Sequence, residues 1–403
     1  MDGPLEGIRV ADFTWVWAGP TCTLQLAHMG AEVIRMESTR RICALRMFPP
    51  WPGGQPGPNR SGYFNQYNQG KRGILLDISK PEGAAIAKKI VAMSDVAVEN
   101  FAGGIIKRLA LGYEELRKVK PDIVMISMSG YGQTGPDSGF VSYGPAQVPL
   151  SGLSQLTGYV GSQPMHVGMS YGDHNAGLHA AFAVISALLH RERTGEGQYI
   201  DMSQWESTMA ILGDGIMHYT MNGEQPPRTG SRVENMAPHG VFRCEGKDRW
   251  ISIACGSDGE WRALCEVMER RAPADDPRFR TIADRKANED ALEAEVEAWT
   301  LTQEPMEATH RLQAAGVAAF TPMMNRELDE DPHLNVRGFF VEKEHPEVGV
   351  RKHAGIPWRM SGTPCEVRRA APVMGQDNGY VFGELLGMSS DQIADLVQRE
   401  VIH

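Results

Sequence analysis

The opening forty residues constrain the fold most. A short apolar run, Ile8 to Asp12, leads into a helix-compatible stretch, Cys22 to His28, which Gly30 ends as a C′ residue. A second strand-like run, Glu32 to Glu37, follows. Two strands joined through a helix lie parallel, because the chain must cross back over one face of the sheet before pairing again. The pattern continues. Gly73 to Asp77, Val96 to Val98, Ile123 to Ser127 and Gln198 to Met202 read as strands, and Pro81 to Ser94 as a helix with proline in its first turn. The expected core is a parallel α/β sheet.

Gly223 to Pro238 is rich in Gly, Pro, Arg and Asn and reads as a linker. Beyond it the texture changes to a hairpin, Gly240 to Cys244 with Arg249 to Ala254, and helices near Asp258 to Arg270, Asn288 to Leu301 and Pro305 to Ala315. The tail holds a strand or loop, Gly349 to Pro357, and two helices, Tyr380 to Leu386 and Ser390 to Glu400, too little for a domain. The expected division is a large domain over 1–222, a small α+β domain over 223–335, and a return of 336–403 to the large domain.

Composition removes several function classes. The 403 residues carry a net charge of −10, so no basic excess points to nucleic acid or an anionic membrane as partner. No apolar stretch spans a bilayer, and no charged segment with an apolar core marks a signal peptide. The 6 cysteines are scattered without a Cys-x-x-Cys pair, which suits reduced thiols in the cytoplasm. The 12 histidines form no ligand spacing, so no metal is expected.

Asp173 in Tyr171-Gly-Asp-His-Asn-Ala-Gly stands just before the small and apolar run Ala176 to Leu189, at the start of a buried helix. A helix N-terminus favours an ionised carboxylate, and an ionised carboxylate is a nucleophile. It is also a common helix cap. The turn after the first strand, Asp12 to Pro20, lacks the Gly-x-Gly-x-x-Gly of dinucleotide sites, and there is no Walker loop. A bound nucleotide would therefore need side-chain cations; Lys71, Arg72 and Arg108 are candidates. Arg40, Arg41 and Arg46, in a loop rich in Pro and Gly, are candidates for a second carboxylate or for phosphates.

Several short segments then read as a set: Asp12-Phe-Thr with Ala18-Gly-Pro, Gly30-Ala-Glu-Val-Ile-Arg-Met-Glu, Asn68-Gln-Gly-Lys-Arg with Leu76-Asp77, and Glu99-Asn-Phe. Ser129-Gly-Tyr-Gly-Gln-Thr-Gly-Pro, Gly172-Asp173 with Gly177, Ala237-Pro-His-Gly-Val-Phe and Asp331-Pro-His complete it. Their order and spacing, over nearly the whole chain, resemble the class III CoA-transferases, the CaiB/BaiF or formyl-CoA transferase family. The resemblance implies an interlocked-ring dimer, with an identical or a related chain. It implies a Rossmann-like large domain built from both chain ends and coenzyme A carried as an acyl-CoA substrate. It makes Asp173 the covalent carrier of the acyl group or of CoA. It places Val16, Lys71, Arg72, Leu76, Asn100, Phe101 and Arg108 along CoA.

Departures from formyl-CoA transferases bear on the acid. Trp17 replaces a glutamine that holds a small acid, and Thr229 to Gly240 lacks a run of four glycines. A bulkier acid follows, an aromatic or branched dicarboxylate as in benzylsuccinate CoA-transferases. Trp17 is read as a pocket wall and Trp15 as packing. Family members that racemise acyl-CoA pair a histidine with the aspartate; Val141 to Leu150 contains none and has Tyr143 instead. Tyr143 is either a hydrogen-bond donor to the thioester or a packed core residue. His174 and His239 are weaker candidates for orienting the acid. The leading expectation is CoA transfer from a donor such as succinyl-CoA to an organic acid. An intramolecular isomerase or racemase and a CoA-binding subunit without chemistry are the alternatives.

Overall fold

The computed structural model describes residues 3–403. Six strands form its main sheet: β1 (Arg9–Asp12), β2 (Glu32–Glu37), β3 (Arg72–Leu75), β4 (Val96–Glu99), β5 (Val124–Ser129) and β6 (Tyr199–Ser203). Their order is β3-β2-β1-β4-β5-β6, and all neighbours pair in parallel. All but β6 are buried along nearly their whole length, because both faces are covered. Ala11, Ile34, Ile74, Ala97 and Met125 enter one core, beside the helix Pro81–Ala92 and the chain's tail. Val10, Val33, Val96, Val98, Val124 and Ile126 enter the other, beside helices Ala18–His28 and Tyr171–Thr194. Gly30 follows the first of these helices at φ +105°, a conformation costly for other residues.

The tail closes the sheet's outer edge. Asp377 accepts the Gly73 N–H at 2.8 Å, Asn378 accepts that of Leu75 at 3.0 Å, and Asp77 N–H donates to the Val401 carbonyl at 2.9 Å. Val381, Phe382, Leu396, Val401 and Ile402 are core residues. The outward N–H groups of Gly73 and Leu75 in the edge strand β3 are thereby satisfied.

The chain divides into two compact units. One contains the sheet, with residues up to Ser154, His166–Met221 and Val336–His403; the other contains Gln155–Met165 and Asn222–Asn335. The short segment Gln155–Met165 joins the smaller unit across an intervening stretch of chain, a long-range association invisible to a linear reading. That unit has an antiparallel sheet, β7 (His239–Arg243), β8 (Trp250–Ala254) and β9 (Ala318–Phe320), in that order. Helices Asp258–Val267, Glu289–Thr300 and Pro305–Ala314 contribute Trp261, Leu264, Val296, Trp299 and Leu312 to its core.

Candidate active site

The sheet's strand order reverses between β1 and β4, so the loops leaving their carboxyl ends diverge and open a crevice. Trp15 and Val16 from the first loop and Asn100, Phe101 and Ala102 from the second line a cleft of about 570 Å3. Asn100 ties the two loops together: its side chain accepts the Trp15 N–H and donates to the Trp15 carbonyl, both at 2.9 Å. Val16 takes a positive φ of 59° in this turn, and its N–H meets the Cys43 sulfur at 3.2 Å.

Three strands end in buried acids, and each accepts at least one hydrogen bond, although one Glu99 oxygen has no partner among the described residues. Asp12 accepts from Thr14 and Thr23 and lies 3.5 Å from Lys71. Glu37 pairs with Arg46 at 2.6 Å. Glu99 accepts the Phe101 N–H at 2.8 Å, which shapes the second loop. Asp173 is different. It lies in the first turn of Tyr171–Thr194, is buried, lines the cleft, and has no hydrogen-bond partner for its carboxylate among the described residues. Burial pushes its carboxyl up to about 7.

The cap expectation is corrected. Ser170 occupies the N-cap position, its side chain makes no capping bond, and Asp173 sits three residues inside. What holds Asp173 in place is packing. Gly172, Ala176, Gly177, Ala180 and Val184 are buried on one face of its helix. A Cβ at Gly177 would lie 2.6 Å from the Thr21 Cβ and 2.8 Å from the Ala18 carbonyl oxygen, so glycine sets the helix spacing. On the other side Gly144 begins the helix Gly144–Leu150, and a Cβ there would collide with the Asp173 carboxylate and approach the Ser170 Cβ to 2.8 Å. Gln147 and Gln204 flank the carboxylate in the cleft and bond each other at 2.8 Å.

The other candidates fall into three groups. Val16, Asn100, Phe101, Arg41 and Tyr143 line the cleft with Asp173. Tyr143 is 64% exposed at the start of its helix, which removes the packed-core reading. Arg108 is exposed and has no ion-pair partner among the described residues, at the end of the short helix Ile105–Arg108 whose first residue lines the cleft.

The second group is structural. Lys71 is fully buried; its ammonium donates to the Pro20 carbonyl and to Asn68, both at 3.0 Å, and neutralises Asp12. It has no face toward solvent for a phosphate. Arg72 pairs with Glu32 at 2.8 Å and Asp377 at 3.2 Å and stacks on Tyr380. Leu76 is buried and bridges to Ile402. The expectation that Trp17 walls the pocket is corrected. Trp15 walls the cleft, whereas Trp17 is buried against Tyr63, Tyr67 and His174. His174 stacks on Tyr67 and lies within hydrogen-bond range of the Tyr67 hydroxyl at 3.3 Å and the Thr21 hydroxyl at 3.4 Å. Burial lowers its proton affinity, so it is a neutral brace next to Asp173.

His239 makes the third group. It belongs to the smaller unit, where it lines a separate hollow with Arg232 and bonds the Ser231 carbonyl. Sequence reasoning missed Gly144, Gln147 and Gln204. Their signals were present: a glycine directly before Pro145, and lone amides among small and apolar residues.

The CoA-transferase family III profile matches residues 5–378. The chain belongs to this family. It is 33% identical to the succinate–glutarate CoA-transferase of Agrobacterium fabrum, over 95% of this chain and 96% of that one. It is 32% identical to the succinyl-CoA–D-citramalate CoA-transferase of Chloroflexus aurantiacus, over 99% and 98%. A CaiB/BaiF family protein from Brucella suis superposes with a TM-score of 0.87 at 29% identity, covering 96% of this chain and all of that one. The protein is thus a class III CoA-transferase, and its substrates are CoA thioesters and organic acids. Among the described residues no His, Cys, Asp and Glu side chains gather as a metal site, and no helix is long and apolar enough to cross a membrane.

Proposed function

We propose that this enzyme moves CoA from a donor such as succinyl-CoA to a bulky or dicarboxylic acid through an aspartyl-CoA thioester on Asp173. One observation carries the reading: a buried carboxylate without protein partners, facing the crevice at the sheet's switch point. The Asp173 carboxylate attacks the thioester carbonyl, the carbon–sulfur bond breaks, and CoA leaves as thiolate. The thiolate then attacks the aspartyl carbon of the resulting anhydride, and the donor acid departs. An acceptor carboxylate reverses the two steps and leaves as its own CoA ester. Each step exchanges one acyl bond for another, so no ATP is consumed. The apolar side chains of Val16, Ile42, Phe48, Phe101, Phe140 and Val141 in the lining offer no group that would activate water against the anhydride.

Relatives that act on glutarate and D-citramalate support a dicarboxylic acid. The aromatic walls at Trp15, Phe101 and Phe140 favour a bulky one. Val16, Asn100, Phe101 and Arg108 would contact CoA, and Tyr143 would donate to the thioester. An intramolecular reaction at the α-carbon needs a second base opposite Asp173, and the lining residues contain neither a histidine nor another acid. An interlocked dimer fits the outer face of Asp173's helix, which leaves Leu178, Phe182 and Leu189 exposed. Function in the cytoplasm accords with this chemistry.

The test is a screen of acids against succinyl-CoA and acetyl-CoA, with the wild type and Asp173→Ala in parallel. The proposal expects transfer to dicarboxylic acids by the wild type alone. Full transfer by Asp173→Ala, or α-hydrogen exchange without any acceptor acid, would refute it.

A further inference from the structure

The cleft holds two charges of opposite sign, Asp173 and Arg41, and Arg41 is the one cation among its lining residues. Its neighbours in sequence are committed elsewhere. Arg40 pairs with Asp77 at 3.1 Å, and the buried Arg46 donates to Glu37, Asn59 and the Pro58 and Pro372 carbonyls. Arg41 has no carboxylate partner among the described residues. Its guanidinium instead lies 4.0 Å over the Trp15 ring, and Trp15 is clamped at both backbone atoms by Asn100. Stacking fixes the plane of the guanidinium and leaves its N–H edge available for a forked contact.

Arg41 is exposed and free to take an anion that the substrate brings into the cleft. The group that reacts at Asp173 does not keep its charge, because it is neutral once bonded to CoA or to Asp173. A second carboxylate on the same acid does. We propose that Arg41 binds the distal carboxylate of a dicarboxylic acyl group and so selects dicarboxylic over monocarboxylic acids. This rests on the reading of the cleft as the acyl-transfer site. The phosphates of CoA are the competing anion, and Arg108, exposed and without an ion-pair partner among the described residues, is a cation available to them.

Binding distinguishes the two without requiring turnover. Succinyl-CoA and butyryl-CoA differ only in a terminal carboxylate against a methyl group. Their Kd values are measured by calorimetry in an Asp173→Asn background, which stops transfer, with Arg41 intact and with Arg41→Leu. Loss of one charge-assisted contact should weaken succinyl-CoA about tenfold to a hundredfold, with butyryl-CoA shifted far less. Arg41→Lys should recover part of the preference, and it serves as the readout if Arg41→Leu does not fold. An equal loss for both thioesters would assign Arg41 to the phosphates and overturn the proposal, as would no loss for either. Failure of Asp173 to act as nucleophile would leave these affinities measurable, so the two claims fail separately.

Discussion

Gly144→Ala tests whether the site's geometry depends on a missing side chain. The new Cβ would lie 2.7 Å from the Asp173 Cγ, closer still to Oδ2, and 2.8 Å from the Ser170 Cβ, where an ordinary contact begins at 3.4 Å. Rotating the carboxylate cannot relieve this, because its central carbon is itself too near. Either the Asp173 side chain leaves its position or the helix Gly144–Leu150 retreats. Overpacking of this kind costs about 1–3 kcal/mol. Displacing a reacting group by about 1 Å costs roughly a hundredfold in rate. The expected variant is folded, melts a few degrees lower, binds CoA with wild-type affinity, and transfers CoA with kcat reduced about a hundredfold. Thermal denaturation, calorimetry and steady-state transfer from succinyl-CoA separate these effects. Wild-type kcat, at whatever melting temperature, would refute the claim that Gly144 makes room for the carboxylate.

Other outcomes follow from the same geometry. Lys71→Ala should lose about 3–5 kcal/mol of stability by leaving Asp12 buried and uncompensated, read by denaturant titration; a raised Kd for CoA in a protein of unchanged stability would contradict this. Trp17→Ala should cost about 3–5 kcal/mol of stability, whereas Trp15→Ala should chiefly raise KM; the reverse pattern would return Trp17 to the cleft wall. The Asp173 carboxyl, raised from 3.8 to about 7, must be ionised to attack, so kcat/KM should rise through pH 7 and level off above it, and a flat profile between about pH 5.5 and 8 would oppose the assignment. Its folded value exceeds its unfolded value, so protonation favours the folded state. The cost of burying Asp173 is absent below pH 3.8, grows between there and about 7, and is full above. Asp173→Asn should therefore be more stable than wild type at pH 8, by up to about 4 kcal/mol, and no more stable near pH 3.

The sheet was legible because its signals are local. Glu32 to Glu37 forms a strand over the residues expected, and the apolar runs ending near Asp12, Val98 and Ser127 form its parallel neighbours, each within a few residues. The tail's helices are too small to bury their own apolar face, and Val381, Phe382 and Leu396 pack into the sheet's core instead. The cleft was less legible. Lys71 and Arg41 look alike in sequence, each a cation beside another cation, yet one lies under the sheet edge against Asp12 and the other stacks over Trp15. Trp15 and Trp17 are separated by a single residue, Val16 at a positive φ, yet Trp15 lines the cleft and Trp17 is buried in the aromatic cluster. The environment of Asp173 depends on Gly144, nearly thirty residues upstream, and on Thr21 across the helix pair. Its helical position was readable from sequence; its desolvation was not.

The central claim is that Asp173 is the group that carries CoA between acids. The most direct measurement is the mass of the protein, and of the peptide containing Asp173, after brief exposure to succinyl-CoA without acceptor and rapid denaturation. The account predicts a CoA-sized adduct on Asp173 that hydroxylamine removes and that an acceptor acid discharges. An enzyme that transfers CoA with no adduct on that peptide, and continues to do so after Asp173→Ala, would contradict it.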